Sequence, residues 1–335
     1  MSVVTVALPV LDGGDRLAAV LDAVRAQDVD RELELLVCDS GSTDGSVEVA
    51  REHGARLLQI ERADFSHGAT RNLLMTHAAG EHVAFLTQDS RPLTATWLAT
   101  LLAGFGQAPD VALTYGPYRA CPGASATTAR DIAEWFAALA PDGRPRIDRL
   151  APGERDVAAS ALLGAPAFFS DVNGAVAKAA WREVPFRDIP YAEDQQLGID
   201  MLRAGYAKVY LPDAAVEHSH EYSPRRRLQR AFDEARALRE VFGWAEALDA
   251  TLLRDRVLAP ARADVRWARA HGAQPAALAP IAARALVQHA ARTAGAALGG
   301  RHDRLPAALR RRLSLESRAT FEPIDGARRA PADRC

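Results

Sequence analysis

Apolar and polar positions alternate between two rhythms over the first hundred residues. Val3–Val10 is a continuous apolar, largely β-branched run with Pro9 near its end, which predicts a buried strand. Asp15–Gln27 carries Leu17, Val20, Leu21 and Val24 at helical spacing. Leu33–Cys38 predicts a second buried strand, and the following Asp39-Ser-Gly-Ser-Thr-Asp-Gly45 is turn and cap chemistry. Beyond it the pattern predicts helix over Ser46–His53, strand over Arg56–Ile60 and helix over Gly68–Ala79. Strand over His82–Leu86 and helix over Trp97–Gly104 follow. Strands separated by helices of this length predict parallel βαβ units with right-handed crossovers, an α/β fold.

Residues 119–160 lose this rhythm; they are rich in Ala, Pro and Gly, with a helix expected at Ala129–Leu139, and read as an excursion over a site. Order returns with a strand-like Phe168–Ala177, a helix near Asp194–Ala204 and strands at Ala207–Leu211 and Ala215–His218. From Pro224 the chain looks helical to about residue 297, and after Arg301 periodicity fades, so disorder is expected within 301–335. The implied organisation is a catalytic unit over about 1–223, with halves near 1–118 and 160–223, and a helical region over about 224–300.

Composition adds a few exclusions. A chain of 335 residues with 48% hydrophobic and 25% charged residues can bury a full core. A formal charge of −2 offers no global attraction to nucleic acid, and none is expected as a partner. Cys38, Cys121 and Cys335 form no metal-ligand or disulfide spacing, which suits a reducing compartment. The start, MSVVTVALPVLDGG, lacks signal-peptide character, and no apolar run reaches the roughly 20 residues of a membrane span. A cytoplasmic protein is expected. The arginine-rich helices of 246–335 permit peripheral contact with the inner membrane face or pairing into a homodimer.

In an open α/β sheet, ligands bind beyond the carboxyl ends of the strands. Three polar clusters fall there: Pro9-Val-Leu-Asp12, Asp39-Ser40 and Thr87-Gln88-Asp89. Each also has a plainer reading, since Asp39–Gly45 can cap a helix and Asp89 can serve a turn before Pro92. Neither GxGxxG nor GxxxxGK[ST] occurs at the expected place, so a nucleotide would be held through carboxylates and a metal. A carboxylate accepts well from a pyrimidine imide, and hard oxygen ligands with a diphosphate suit Mg²⁺ or Mn²⁺. In Arg62–Asn72, Gly68 and Arg71 sit at a helix start where a phosphate could lie, unless the segment is simply a capped loop.

Glu193 and Asp194 fall in the first turn of a helix, which the helix dipole favours whatever their function. His218 and His220 are two apart, so in an extended segment they project to one side. Arg225-Arg226-Arg227 follow at the start of the next helix, either as a solvated end or facing a diphosphate.

Together these pieces resemble a family. "TVALPVLDGG", "LLVCDSGSTDGS", "ADFSHGATRN", "VAFLTQDSRP", "SDVNGAVAKAAWREVPF", "YAEDQQLGIDMLRAGY" and "VEHSHEYS" run in the order of the inverting family 2 glycosyltransferases. "FSHGATRN", "LTQDS" and "HSHEYS" resemble the bacterial rhamnosyltransferase branch. The resemblance implies a GT-A (Rossmann-like) fold and transfer of a sugar from a nucleotide donor to a saccharide or lipid-linked acceptor. The donor implied is dTDP-L-rhamnose, with a UDP-sugar or a catalytically silent binding module as alternatives. By position, Asp39 would hold the base, with Pro9 and Asp64 lining its pocket. Asp12, Ser40, Gly68, Arg71, Gln88, Asn173 and Arg225 complete the expected donor site. Asp89 matches the last position of the metal-binding DxD, whose first position here is Thr87. His218 or His220 would complete the coordination, and imidazole favours Mn²⁺ over Mg²⁺. Asp194 matches the general base, with Glu193 beside it.

Overall fold

The computed structural model describes residues 2–322. The strands are β1 (Val3–Val10), β2 (Glu32–Asp39), β3 (Arg56–Gln59), β4 (His82–Leu86), β5 (Arg91–Pro92) and β6 (Val111–Tyr115). They continue as β7 (Tyr118–Arg119), β8 (Arg146–Asp148), β9 (Asn173–Ala177), β10 (Ala207–Tyr210) and β11 (Val216–Glu217). The helices of the first part are α1 (Gly14–Arg25), α2 (Ser46–Glu52), α3 (His67–His77), α4 (Trp97–Gly104), α5 (Ala126–Leu139), α6 (Lys178–Glu183) and α7 (Glu193–Ala204). A C-terminal set follows: α8 (Pro224–Phe242), α9 (Ala259–Ala270), α10 (Pro275–Gly299) and α11 (Ala307–Leu313).

An eight-stranded sheet runs β3-β2-β1-β4-β9-β6-β10-β8, and β5-β11-β7 form a small second sheet. The expected parallel pairing holds for β3-β2-β1-β4 and for β6-β10. It fails at β9, which runs antiparallel between β4 and β6, and at the antiparallel edge strand β8. Successive residues of a strand face opposite sides, so β1 feeds two cores. Val4, Val6, Leu8 and Val10 pack with α1 and α4, while Ala7 faces the core of α3, α5 and α7.

Three expectations are corrected here. The strand read over Phe168–Ala177 is only Asn173–Ala177, because Phe169 is buried against Tyr115 instead of extending the ladder. The excursion over 119–160 supplies the sheet edge as well as a cover. Buried Lys208 fastens β8 by donating to Asp148 Oδ2 at 2.6 Å and to the Ala165 carbonyl at 3.0 Å. The long helical run from Pro224 stops at Gly243, whose φ of 67° ends α8 in a left-handed cap.

The C-terminal helices pack onto the catalytic unit through α8 and α10. Gly295 and Gly299 let them approach, since a Cβ there would sit 2.2 Å from the Leu228 and Phe232 carbonyl oxygens. Residues after Arg301 are partly ordered: α11 forms, and buried Ser314 packs against α8. The remainder of the expected disordered tail, 323–335 with Cys335, lies outside the described residues. Among the described residues, no helix is long and apolar enough to cross a membrane.

Candidate active site

The carboxyl ends of β4 and β11, the segment before β9 and the start of α7 converge on a cavity of about 430 Å³. One group of its wall residues is Asp89, His218 and His220, and a second is Arg71, Asp171, Glu193 and Asp194.

In the first group, His218 Nδ1 lies 3.3 Å and His220 Nε2 3.6 Å from the Asp89 carboxylate. One ligand atom from each of the three residues lies within 4.8 Å of the others. Thr87, in the first position of the eroded DxD, donates to Asp89 Oδ1 at 2.9 Å instead of adding a ligand charge. Burial pushes the Asp89 carboxyl up, but the two imidazoles and the Thr87 hydroxyl outweigh it and hold it well below the usual carboxylate range. Burial and the neighbouring His218 push His220 down to about 4, so its imidazole is neutral and able to ligate. His218 Nδ1 is buried and, among the described residues, has no hydrogen-bond partner. A buried nitrogen left in that state beside a carboxylate fits a cation ligand. Both histidines face the cluster, as their same-side projection predicts.

The second group is built around a strained helix start. Ala192 precedes α7 with φ 63° and ψ 30°, a left-handed conformation that costs an L-residue about 1–2 kcal/mol. It turns the chain so that Glu193 and Asp194 enter the first helical turn without a side-chain cap. Arg71 Nη2 donates to Asp171 Oδ1 at 2.7 Å, its Nε contacts Asp171 Oδ2, and its Nη1 lies 3.2 Å from Glu193. Burial pushes Asp194 up to about 7, with the charge of Asp171 adding to the shift and Arg71 opposing it. Burial likewise pushes Asp171 up to about 7 against the pull of Arg71, with Glu193 adding to the rise.

Several expected donor residues are occupied elsewhere. Arg71 is buried and paired with two carboxylates, so it is not a free phosphate cation. Gly68 serves packing: a Cβ would meet the Arg187 carbonyl oxygen at 2.1 Å. Gln88 uses both ends of its amide on the Leu11 backbone, at 2.7 and 2.9 Å. Buried Asn173 accepts from Trp97 Nε1 at 2.8 Å and donates to the Pro117 and Ala214 carbonyls. Arg225 is exposed at the start of α8 and does not line the cavity.

A second group stands at the ends of β1 and β2, away from the cavity lining. Across these strands Pro9 pairs with Cys38 and Val10 with Asp39. Asp39 accepts from the Gly41 and Ser42 N–H groups at 3.1 and 3.3 Å, closing a turn after β2, whereas α2 starts after Gly45 without a side-chain cap. Ser40 Oγ donates to the Val10 carbonyl at 3.0 Å, and Asp12 accepts from Thr43 N at 2.8 Å. Asp64 is exposed on a short turn before α3.

The pattern leaves Asp171, His67, Tyr118, Tyr191, Arg230 and Glu234 unsingled, although all line the cavity. Arg230 was within reach of helical spacing, four residues beyond Arg226 on α8. Its guanidinium lies 4.7 Å from the Tyr191 ring centroid and donates to Glu234 at 3.1 Å.

Residues 5–154 match the Glycosyl transferase family 2 profile. Residues 5–154 thus carry a family 2 glycosyltransferase domain, and the fold is that of the GT-A glycosyltransferases. It is similar to the O-antigen chain rhamnosyltransferase RfbN of Salmonella typhimurium, 29% identical over 69% of this chain and 70% of that protein. It is also similar to the O-antigen chain rhamnosyltransferase WbaN of Salmonella anatum, 29% identical over 60% of this chain and 61% of that one. Among solved structures, the mannosyltransferase PcManGT of Pyrobaculum calidifontis, in complex with GDP-Man and Mn²⁺, superposes with a TM-score of 0.58. That pair shares 22% identity over 90% of this chain and 88% of the other.

Proposed function

We propose that this chain moves L-rhamnose from dTDP-L-rhamnose to a saccharide or lipid-linked acceptor, inverting the anomeric centre. The observation that carries the reading is one cavity lined by both the half-buried carboxyl of Asp194 and the Asp89–His218–His220 cluster. The two relatives named as rhamnosyltransferases support the choice of sugar. The ends of β1 and β2, with Pro9, Asp39 and Ser40, are the proposed seat of the nucleoside.

In this scheme Asp194, as carboxylate, takes the proton of the acceptor hydroxyl while that oxygen attacks the anomeric carbon. A base titrating near 7 is matched to neutral pH and keeps enough basicity to accept that proton. Glu193 and Asp171 hold Arg71, and Arg71 in turn limits how far Asp194 rises. A divalent cation, Mn²⁺ by the donor set, would be held by Asp89, His218 and His220 and would neutralise the leaving diphosphate. With Arg71 committed, Arg230 is the cation of the cavity wall assigned to the departing charge.

A panel of nucleotide sugars tested with Mn²⁺ checks the donor. At 100 times its Kd a ligand stabilises by about 2.7 kcal/mol, a rise of roughly 4 °C for a chain of this length. dTDP-L-rhamnose is expected to give the largest rise. A larger one with UDP-galactofuranose, UDP-GlcNAc or UDP-glucose reassigns the donor, and no rise with any of them contradicts the reading.

A further inference from the structure

The family match ends at residue 154, yet a segment some 160 residues later touches His67, a residue of the cavity lining. Ser314, buried behind α8, donates through Oγ to Asp233 Oδ2 at 3.1 Å, and Leu315 N donates to the same oxygen at 2.7 Å. The other Asp233 oxygen accepts from Arg236 at 2.9 Å, and Arg236 also donates to the Arg318 carbonyl at 3.0 Å. Gln229 adds a bond to the Arg312 carbonyl at 2.9 Å. A buried carboxylate and guanidinium on α8 are therefore satisfied partly by this segment. Without it they would be left short of partners. The seat is built, and it fixes where Glu316 points.

Glu316 Oε1 lies 3.4 Å from His67 Nε2, and Arg318 Nε lies 3.1 Å from its other oxygen. The second nitrogen of the same imidazole, Nδ1, lies 3.8 Å from Glu193 Oε1, which also meets Arg71. His67 thus stands between a carboxylate from the C-terminal segment and one from the first turn of α7.

We infer that Ser314–Arg318 buttresses the active site from behind its lining and that Glu316 is a positioning residue, fixing Glu193 and the adjacent Asp194 through His67. The inference rests on Asp194 as the base. The charged groups facing His67 are Glu193 and Asp194 from α7, Arg71 from its own helix, Asp171 from before β9, and Glu316. Burial disfavours its charged form, but Glu193 and Glu316 outweigh burial and raise its pKa. The charged form of His67 in turn lowers Asp194. Loss of the Glu316 charge therefore releases the His67 proton, raises Asp194 and loosens the start of α7.

Glu316→Gln and Glu316→Asp in the full chain test this. Gln is expected to lower kcat about tenfold, within the range that a misplaced catalytic group costs, with donor KM changed by less than about twofold. It also moves the acidic limb of the pH profile to higher pH, and Asp recovers part of both effects. A Gln variant with wild-type kcat and an unmoved limb overturns the inference. So does a lowered melting temperature with kcat unchanged. Asp194→Asn separates the two readings: transfer at the wild-type rate in that variant removes the base itself, whereas an inactive Asp194→Asn beside an unaffected Glu316→Gln removes only the role of the segment.

Discussion

The two groups of the cavity lining handle charge in opposite ways. Asp89, His218 and His220 form an incomplete set: one carboxylate, two imidazoles and a buried nitrogen with no hydrogen-bond partner among the described residues. Asp171, Arg71, Glu193 and His67 form a closed network in which each charge already has a counterpart. The first invites a ligand. The second is complete apart from Asp194, whose carboxyl faces the cavity and bonds only its own neighbour, Gln195 N, at 2.7 Å among the described residues. An open cluster and a compensated one in the same cavity divide the work: the former meets what arrives, and the latter tunes the one group left free.

This contrast is broken most severely by removing the free group. Asp194→Asn is expected to lower transfer by about 10²–10⁴-fold, the usual contribution of a general base, with donor binding retained in a thermal-shift assay. The same change relieves a cost. Asp194 titrates near 7 when folded, above the ordinary carboxylate value, so its contribution to stability is complete below about pH 4 and is lost as pH rises through 7. The Asn variant is therefore at least as stable as the parent above pH 7, which thermal melts at pH 8 check directly. Removal of a member of the open cluster comes next. His218→Ala is expected to weaken Mn²⁺ binding by about 10–100-fold, followed by metal titration, and to leave apo-protein stability little changed. Unaltered metal affinity in that variant would mean that the orphaned nitrogen is not a ligand.

Much of this was legible in the residues. β1, β2 and β4 emerged within a residue of their bounds because unbroken apolar runs admit little else. β6 escaped, although all five of its residues are buried, since five residues are too short for periodicity to act on. The meeting of His218 and His220 beside Asp89 was readable because the two histidines alternate along one extended segment. The partners of charged residues were not. Arg71 beside Gly68 looked like a phosphate site, and only the fold brings Asp171 to it from 100 positions away. Gln88 and Asn173 looked like ligand-binding amides, and their partners are distant backbone groups and, for Asn173, the Trp97 indole as well. Sequence spacing carries the direction of a side chain. It does not carry what fills its hydrogen bonds.

The central claim is that Asp194 is a base held near neutrality by burial and by the charge of Asp171. The direct measurement is kcat/KM against pH from about 5 to 9 for the parent chain and for Asp171→Asn, with metal saturating. Because Asp194 acts as carboxylate, activity should rise with pH through an inflection near 7. Removing the charge of Asp171 should move that inflection down, towards the ordinary carboxylate range. A parent profile flat down to pH 5, or an inflection unmoved in Asp171→Asn, would contradict the account.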